Sequence, residues 1–205
     1  MTGTAVYITS LPAGKARQEE TGAGRALLAL GLMRAGFLAE GAPGQVDINP
    51  LLVYGPRGKP AFQELPVQFS ISHSHGLVAC ALGKGELGLD VERLRIFSPR
   101  LAARVARKEE RCQAALAGDF DSGMTQLWTC KESYMKYTGL GMAQGLQAIP
   151  VAALGPQPRL EGQPGLHLNS IPLWRGGQRF WLTLCQSLPG SIVLEFIPRQ
   201  LLGTG

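Results

Sequence analysis

An α+β fold in two compact halves is what this sequence predicts, on three observations. Short runs rich in β-branched and aromatic residues recur along most of the chain, as strands do. They are interrupted by longer stretches of good helix formers, in the order strand, helix, hairpin, helices and further strands. Glycine (27) and proline (14) make up 41 of the 205 residues, enough for many tight turns and below the low-complexity range. Hydrophobic residues at 45% and charged residues at 17% are globular proportions, and the length can bury a real core. The two halves meet near residues 94–98, giving expected units of 1–95 and 96–205.

Taken in order, Thr4 to Ser10 is a β-branched first strand ended by Pro12 and Gly14. Thr21 to Leu38 reads as a helix with Leu27, Leu28, Leu32 and Met33 on its apolar side and Arg25 in its first turns. Pro43 to Pro60 is loop-rich. Within it, two glycines and two prolines hold Arg57 and Lys59 on a restrained turn that also reads as an ordinary basic loop. Val67 to Ser72 alternates apolar and polar residues like a half-buried strand and runs into His73. Leu77 to Leu82 and Leu87 to Leu94, joined by Gly83-Lys84-Gly85-Glu86, are expected to pair as a hairpin.

Ser98-Pro99 is a helix start. If one helix runs on to Leu116, Leu101, Val105, Cys112 and Leu116 form an apolar stripe beside Arg100, Arg104, Arg107 and Arg111. That basic stripe serves either solubility or the docking of an acidic partner. Gln126 to Tyr137 is a second helix, stopped at Thr138-Gly139. Leu166 to Leu173, Gln178 to Leu188 and Ser191 to Ile197 are three strands expected to close an antiparallel sheet. His167 lies in one of them without matched ligand spacing and is read as structural.

The net charge of +5 favours an anionic partner without choosing one. Cys80, Cys112, Cys130 and Cys185 form no C-x-x-C pair and are expected as reduced core thiols of a cytosolic protein. No signal peptide or membrane span is expected. On the helix after Gln126, residues four apart put Trp128, Glu132 and Lys136 on one side. On the Leu87 strand, Asp90 and Glu92 share a face while Leu89 and Val91 point the other way. Each pattern alone also fits a solvated surface. Together, three carboxylates and the cations Arg25, Arg57, Lys59, Lys131 and Lys136 suit Mg²⁺ and phosphate chemistry. Zinc spacing, a Walker loop and a G-x-G-x-x-G turn are all missing.

Gly88-Leu89-Asp90-Val91-Glu92 followed by Trp128-Thr129-Cys130-Lys131-Glu132-Ser133-Tyr134-Met135-Lys136 resembles the paired G-x-D-x-E and W-x-x-K-E-x-x-x-K signature of the 4′-phosphopantetheinyl transferases. Gly58-Lys59-Pro60, Phe69 to Ser74 and Gly24 to Leu28 resemble three further motifs of that family, in the right order. The length resembles the two-half, monomeric class typified by the surfactin synthetase-activating enzyme. The resemblance implies two similar α+β halves in a pseudo-twofold arrangement, each with a small antiparallel sheet and helices, and coenzyme A in the cleft between them. It implies Mg²⁺ held by Asp90, Glu92 and Glu132, with Lys136 and more weakly Lys131 on the phosphates. Arg25 and His73 would take phosphate groups, with Lys59, Pro60 and Ser72 beside them.

The implied reaction moves the phosphopantetheine arm onto a serine of an apo acyl or peptidyl carrier protein, with Glu132, Lys136 and His73 as the catalytic set. A cytoplasmic monomer with no nucleic-acid or membrane partner is expected. A Mg²⁺-dependent phosphodiesterase and a non-catalytic coenzyme A or carrier-binding module are the alternatives. The sequence departs from the family pattern in its short N-terminal segment, where Lys15 or Arg17 loosely match a family cation. His75 also stands where glycine is common. The family usually breaks the Pro99–Leu116 region into two helices.

Overall fold

β1 (Thr4–Ser10) is buried on both faces, which explains its nearly unbroken apolar and β-branched composition. The computed structural model describes residues 3–12, 14, 17–141 and 145–203. β1 lies inside a four-stranded sheet of order β11-β1-β5-β4, where β4 is Gln68–Ser74, β5 Leu77–Gly83 and β11 Ile192–Phe196. A three-stranded antiparallel sheet of order β6-β10-β9 is built from Leu87–Arg93, Gln178–Gln186 and His167–Arg175. Two short hairpins complete the strands: β2 (Leu52–Tyr54) with β3 (Pro60–Phe62), and β7 (Val151–Ala153) with β8 (Arg159–Leu160).

Four layers result, and the α+β class expected of the sequence is what forms. Helix α1 (Arg17–Arg34) places Leu27, Leu28 and Leu32 against Tyr7, Val78, Cys80 and Leu82 on one face of the larger sheet. The opposite face, with Val6, Ile8, Leu77 and Ala79, packs on Leu89, Val91, Leu182 and Leu184 of the smaller sheet. The far side of that sheet is covered by α4 (Phe120–Thr138), whose Met124, Leu127, Cys130 and Met135 share a core with Leu168 and Cys185. Each such fully buried leucine stabilises the fold by about 1.5–3 kcal/mol relative to exposure. Among the described residues no helix is long and apolar enough to cross a membrane.

Several expectations are corrected. The 77–82 and 87–94 strands form no hairpin: β5 pairs with β1 and β4, while β6 leaves for the other sheet and pairs with β10. Both strands are buried on both faces over most of their length, so alternation cannot say which neighbour each takes. β9 and β10 do pair antiparallel, but β11 does not close their sheet. It crosses to β1 and pairs parallel with it, Val6 opposite Leu194. The first helix starts at Arg17 and stops at Arg34, earlier than Thr21–Leu38; Lys15 lies outside the described residues.

The 99–116 region is two helices, α2 (Pro99–Val105) and α3 (Lys108–Leu116), divided at Ala106 and Arg107, both extended. The break ruins the single stripe: Val105 is buried, but Cys112 is exposed and Leu116 is 87% exposed. Cys112 is therefore not a core thiol. Cys80, Cys130 and Cys185 are buried, and burial pushes the Cys130 and Cys185 thiols up to about 12.

Candidate active site

Asp119 caps the N-terminus of α4 by accepting the Ser122 N–H at 3.1 Å, and Gly139 ends the helix in a left-handed conformation at φ +68. Between them the helix lays its apolar residues on the sheet and keeps Trp128, Glu132 and Lys136 half-buried along one face. The depth of its seat is set at Gly88 of β6. A Cβ there would stand 2.1 Å from the Ser133 carbonyl oxygen and 2.3 Å from the Tyr137 nitrogen, so only glycine lets helix and strand backbones touch. Asp90 and Glu92, two and four residues on, share Gly88's face of the strand and are brought to the same helix.

β6 is an edge strand of its sheet and β4 an edge strand of the other. Three serines of β4 tie the edges together. The N–H groups of Leu89, Val91 and Arg93 donate to the hydroxyls of Ser70, Ser72 and Ser74 at 2.9, 3.2 and 3.2 Å. The middle hydroxyl also donates to Asp90 Oδ1 at 2.8 Å and accepts from Lys136 Nζ at 2.8 Å, which uses its full hydrogen-bonding capacity. Lys136 in turn donates to Asp90 Oδ1 at 2.9 Å. Asp90 is 6% exposed, and its Oδ2 is buried with no hydrogen-bond partner among the described residues.

The other two carboxylates carry the electrostatic consequence. Burial, then the Asp90 charge, raise the Glu92 carboxyl above its ordinary value; the Ser74 hydroxyl, Arg95 and Arg93 pull the other way. Glu132 is pushed up to about 7, chiefly by burial and next by Asp90, with Lys136 opposing and Glu92 adding. A carboxyl that titrates near neutrality can hold or release a proton at little cost. A cavity of about 300 Å³ opens beside Glu132 and Lys136, walled by the β2–β3 turn with Arg57, Lys59 and Pro60, by Phe69 to Ile71, and by Gly139. Lys59 Nζ donates to Glu86 at 2.9 Å and to the Tyr137 carbonyl at 2.7 Å, so it also caps the negative end of α4.

The fold therefore brings together Asp90, Glu92, Glu132, Lys136, Ser72, Lys59 and Pro60. His73 lies on the opposite face of β4 from Ser72, with Nδ1 2.8 Å from Glu20 Oε2. Glu20 also accepts the Gly76 N–H at 2.6 Å. Arg25 is exposed on α1 and is not among the cavity walls. Lys131 is the correction. It is 0% exposed and donates to Glu110 Oε2 at 2.7 Å and to the Val105 carbonyl at 3.0 Å, so no phosphate can reach it. Burial pulls its ammonium below the ordinary lysine value while Glu110 resists.

Sequence reasoning missed the serine ladder, although serine at every second position of Phe69 to Ser74 was its signal. It also passed over Gly88 as a contact residue; a glycine inside a strand was the signal there. Glu20, the partner of His73, left no signal.

The metal question can be tested on this geometry. Among the described residues no three His, Cys, Asp or Glu side chains stand together as a ready-made metal site. Mg²⁺ does not need one: it keeps several waters and typically takes one or two carboxylates plus substrate phosphates. The buried Oδ2 of Asp90, which has no hydrogen-bond partner among the described residues, and two carboxyls raised by burial and by the Asp90 charge fit such a cation.

Known proteins share the segments that carry these residues. Residues 86–185, which carry β6, α4 and β10, match the family model of the 4′-phosphopantetheinyl transferase superfamily. Among individual relatives, the 4′-phosphopantetheinyl transferase HetI of Nostoc is 34% identical over 141 residues, 64% of this chain and 54% of that protein. The 4′-phosphopantetheinyl transferase Sfp of Bacillus subtilis is 36% identical over 98 residues, 46% of this chain and 43% of its own. The 4′-phosphopantetheinyl transferase AcpT of Salmonella typhi is 33% identical over 124 residues, 53% of this chain and 61% of its own. The chain thus matches about half the length of these relatives.

Proposed function

We propose that this protein transfers the 4′-phosphopantetheine arm of coenzyme A to a serine of an apo acyl or peptidyl carrier protein. The observation that carries the reading is the buried Oδ2 of Asp90, without a hydrogen-bond partner among the described residues, on a carboxylate bonded to Lys136, which with Glu132, Arg57 and Lys59 walls the cavity. Asp90, Glu92 and Glu132 would hold Mg²⁺, which when bound supplies charge neutralisation on the phosphoryl oxygens. Lys136, fixed by Ser72 and Asp90, and Lys59 line the cavity and would contact phosphates of the donor. Arg25 and His73 take its further phosphate groups.

The acceptor serine Oγ forms a new bond to the phosphorus bearing the pantetheine arm. The bridging bond from that phosphorus to the second phosphate breaks, and 3′,5′-ADP leaves with the electron pair. The serine proton passes to Glu132, directly or through water. In this reading residues 1–95 and 96–205 are two similar halves in a pseudo-twofold arrangement that exchange strands, β6 joining the second sheet and β11 the first. The protein acts as a cytoplasmic monomer without nucleic-acid or membrane partner.

Incubation with coenzyme A, Mg²⁺ and a panel of apo carriers, read by intact-protein mass, tests the reading. A carrier heavier by one phosphopantetheine arm, and unmodified when the metal is chelated, is the expected result. Breakdown of coenzyme A without a carrier would instead identify a hydrolase. An unmodified panel that a control transferase does modify sinks the proposal.

A further inference from the structure

Glu20, in the first turn of α1, is 9% exposed, and both of its oxygens are spent on the end of β4. Oε1 accepts the Gly76 N–H at 2.6 Å, and Oε2 lies 2.8 Å from Nδ1 of His73. A carboxylate only accepts, so Nδ1 carries the hydrogen. Nε2 is then the ring nitrogen left for a ligand.

The seat of α1 brings these groups together. One turn after Glu20, a Cβ on Gly24 would stand 2.6 Å from Ile71 Cγ2, so glycine lets the helix settle onto β4. His73 follows Ile71 on the same face of the strand, about 7 Å further on, and meets the preceding turn of the helix. Phe69 and Ile71 wall the cation-lined cavity, and His73 continues their row with its side chain 23% exposed. The imidazole can therefore be reached from outside, while the carboxylate behind it cannot.

The second contact holds the strand end. Ser74 and Leu77 face each other across the β4–β5 ladder, which leaves His75 and Gly76 as a two-residue turn with φ +49 and +83. Two positive values are what so tight a hairpin turn requires. His75 is the one non-glycine residue with positive φ among the described residues. The Gly76 N–H is buried and points away from the ladder, and Glu20 is its acceptor. The turn by itself asks only for a neutral acceptor. The negative charge of Glu20 is matched instead to the imidazole.

Resting on the transferase reading above, in which His73 takes a phosphate group of the donor, we infer that Glu20 is a positioning residue that makes His73 a fixed cationic donor to that phosphate. An imidazole that donates to Glu20 through Nδ1 and to a phosphate oxygen through Nε2 holds hydrogens on both nitrogens and is a cation. Glu20 supplies its counter-charge and sets its ring plane. The phosphate then meets an oriented, charged N–H, the stronger kind of hydrogen bond.

Calorimetric titration with coenzyme A in the presence of Mg²⁺ compares the wild type with Glu20→Gln, His73→Gln and the double variant. Glutamine keeps an oxygen for the Gly76 N–H but turns an amide NH₂ toward Nδ1, which reverses the ring's hydrogen pattern and removes the counter-charge. Glu20→Gln should weaken coenzyme A binding by about tenfold or more, the scale of one hydrogen bond to a charged group, with a ligand-free melting temperature near that of the wild type. Added to His73→Gln it should weaken binding no further, because Glu20 acts through the ring. If the wild type binds coenzyme A and Glu20→Gln binds it equally tightly, Glu20 is a turn anchor alone; the inference is overturned and the transferase reading survives. Additive losses in the double variant also overturn it, since the carboxylate then acts by a loosened turn and not by the imidazole. His73→Gln guards against a misfolded Glu20 variant: unweakened binding there overturns the inference by itself. A wild type that binds no coenzyme A overturns both.

Discussion

Asp90 concentrates the chemistry into two oxygens with opposite circumstances. Oδ1 accepts from Ser72 and Lys136, while Oδ2 is buried without a hydrogen-bond partner among the described residues. If Asp90 holds the proposed Mg²⁺, Asp90→Asn should lower transfer by about a hundredfold or more, since its charge would act on the transition state in a water-poor site. Its thermal midpoint should move little; a variant with normal turnover would remove Asp90 from the site. Glu132 yields a pH prediction. Its folded carboxyl titrates at about 7 against 4.5 for an ordinary glutamate, so the native state binds the extra proton between those values. The stability it contributes is complete below about 4.5 and is lost as pH rises through about 7. Chemical denaturation of the metal-free protein across that window should show the decline, and Glu132→Gln should flatten it. An identical slope in the variant would reject the raised value.

Gly88 and Lys131 act at the scale of elements. Gly88→Ala pushes a methyl group into the α4 backbone, so β6 and α4 must part. A loss of about 1–3 kcal/mol or more is expected, as for other overpacked interiors, with a fall in activity because Asp90 and Glu132 separate. Denaturant midpoints of the two proteins measure the first part, and a wild-type midpoint would show that the contact relaxes freely. Lys131 joins α4 to the α2–α3 corner through Val105 and Glu110, and Glu110 further accepts from the Arg107 and Val151 N–H groups. Lys131→Met leaves Glu110 a buried charge without its cation, at a cost of about 3–5 kcal/mol. Coenzyme A binding by the folded variant should be unaltered in calorimetry. If affinity falls with stability intact, Lys131 serves the ligand after all.

Across the whole molecule, three carboxylates from two elements gather around one ammonium, that of Lys136, which leaves an excess of negative charge for a ligand's cation to offset. Coenzyme A with Mg²⁺ should therefore raise the melting temperature, by mass action about 2.7 kcal/mol of stability at a hundredfold excess over Kd. No shift at saturating ligand would count against the cleft as a coenzyme A site. The net charge of +5 is spread over a surface on which Arg107 and Arg111 already serve the fold, donating to the Gln147 and Ala106 carbonyls. Arg100 and Arg104 remain exposed on α2. Arg100→Glu with Arg104→Glu should raise the carrier KM at low salt, an effect that fades as ionic strength increases because exposed charges are screened. A salt-independent KM would leave these arginines as solubilising charge.

Local periodicity made the pieces legible. Alternation placed Asp90 and Glu92 on one face of β6, and the helical repeat placed Trp128, Glu132 and Lys136 on one face of α4, because those spacings depend on neighbours a few residues away. The same local rules found α1, β1 and the β9–β10 pair. They could not join distant pieces. β6 pairs with β10 across some ninety residues and β11 with β1 across nearly the whole chain. β1 and β6 are buried on both faces over most of their length and so look alike to any partner. Lys131 and Glu132 are adjacent in sequence, and both looked like cations and anions for one ligand. The α2–α3 corner buries the first against Glu110, while the edges of β4 and β6 leave the second beside the cavity. Residue types and their spacing carried the chemistry, but which charges are spent on the fold and which are left for a ligand depended on how much water each loses when distant elements pack.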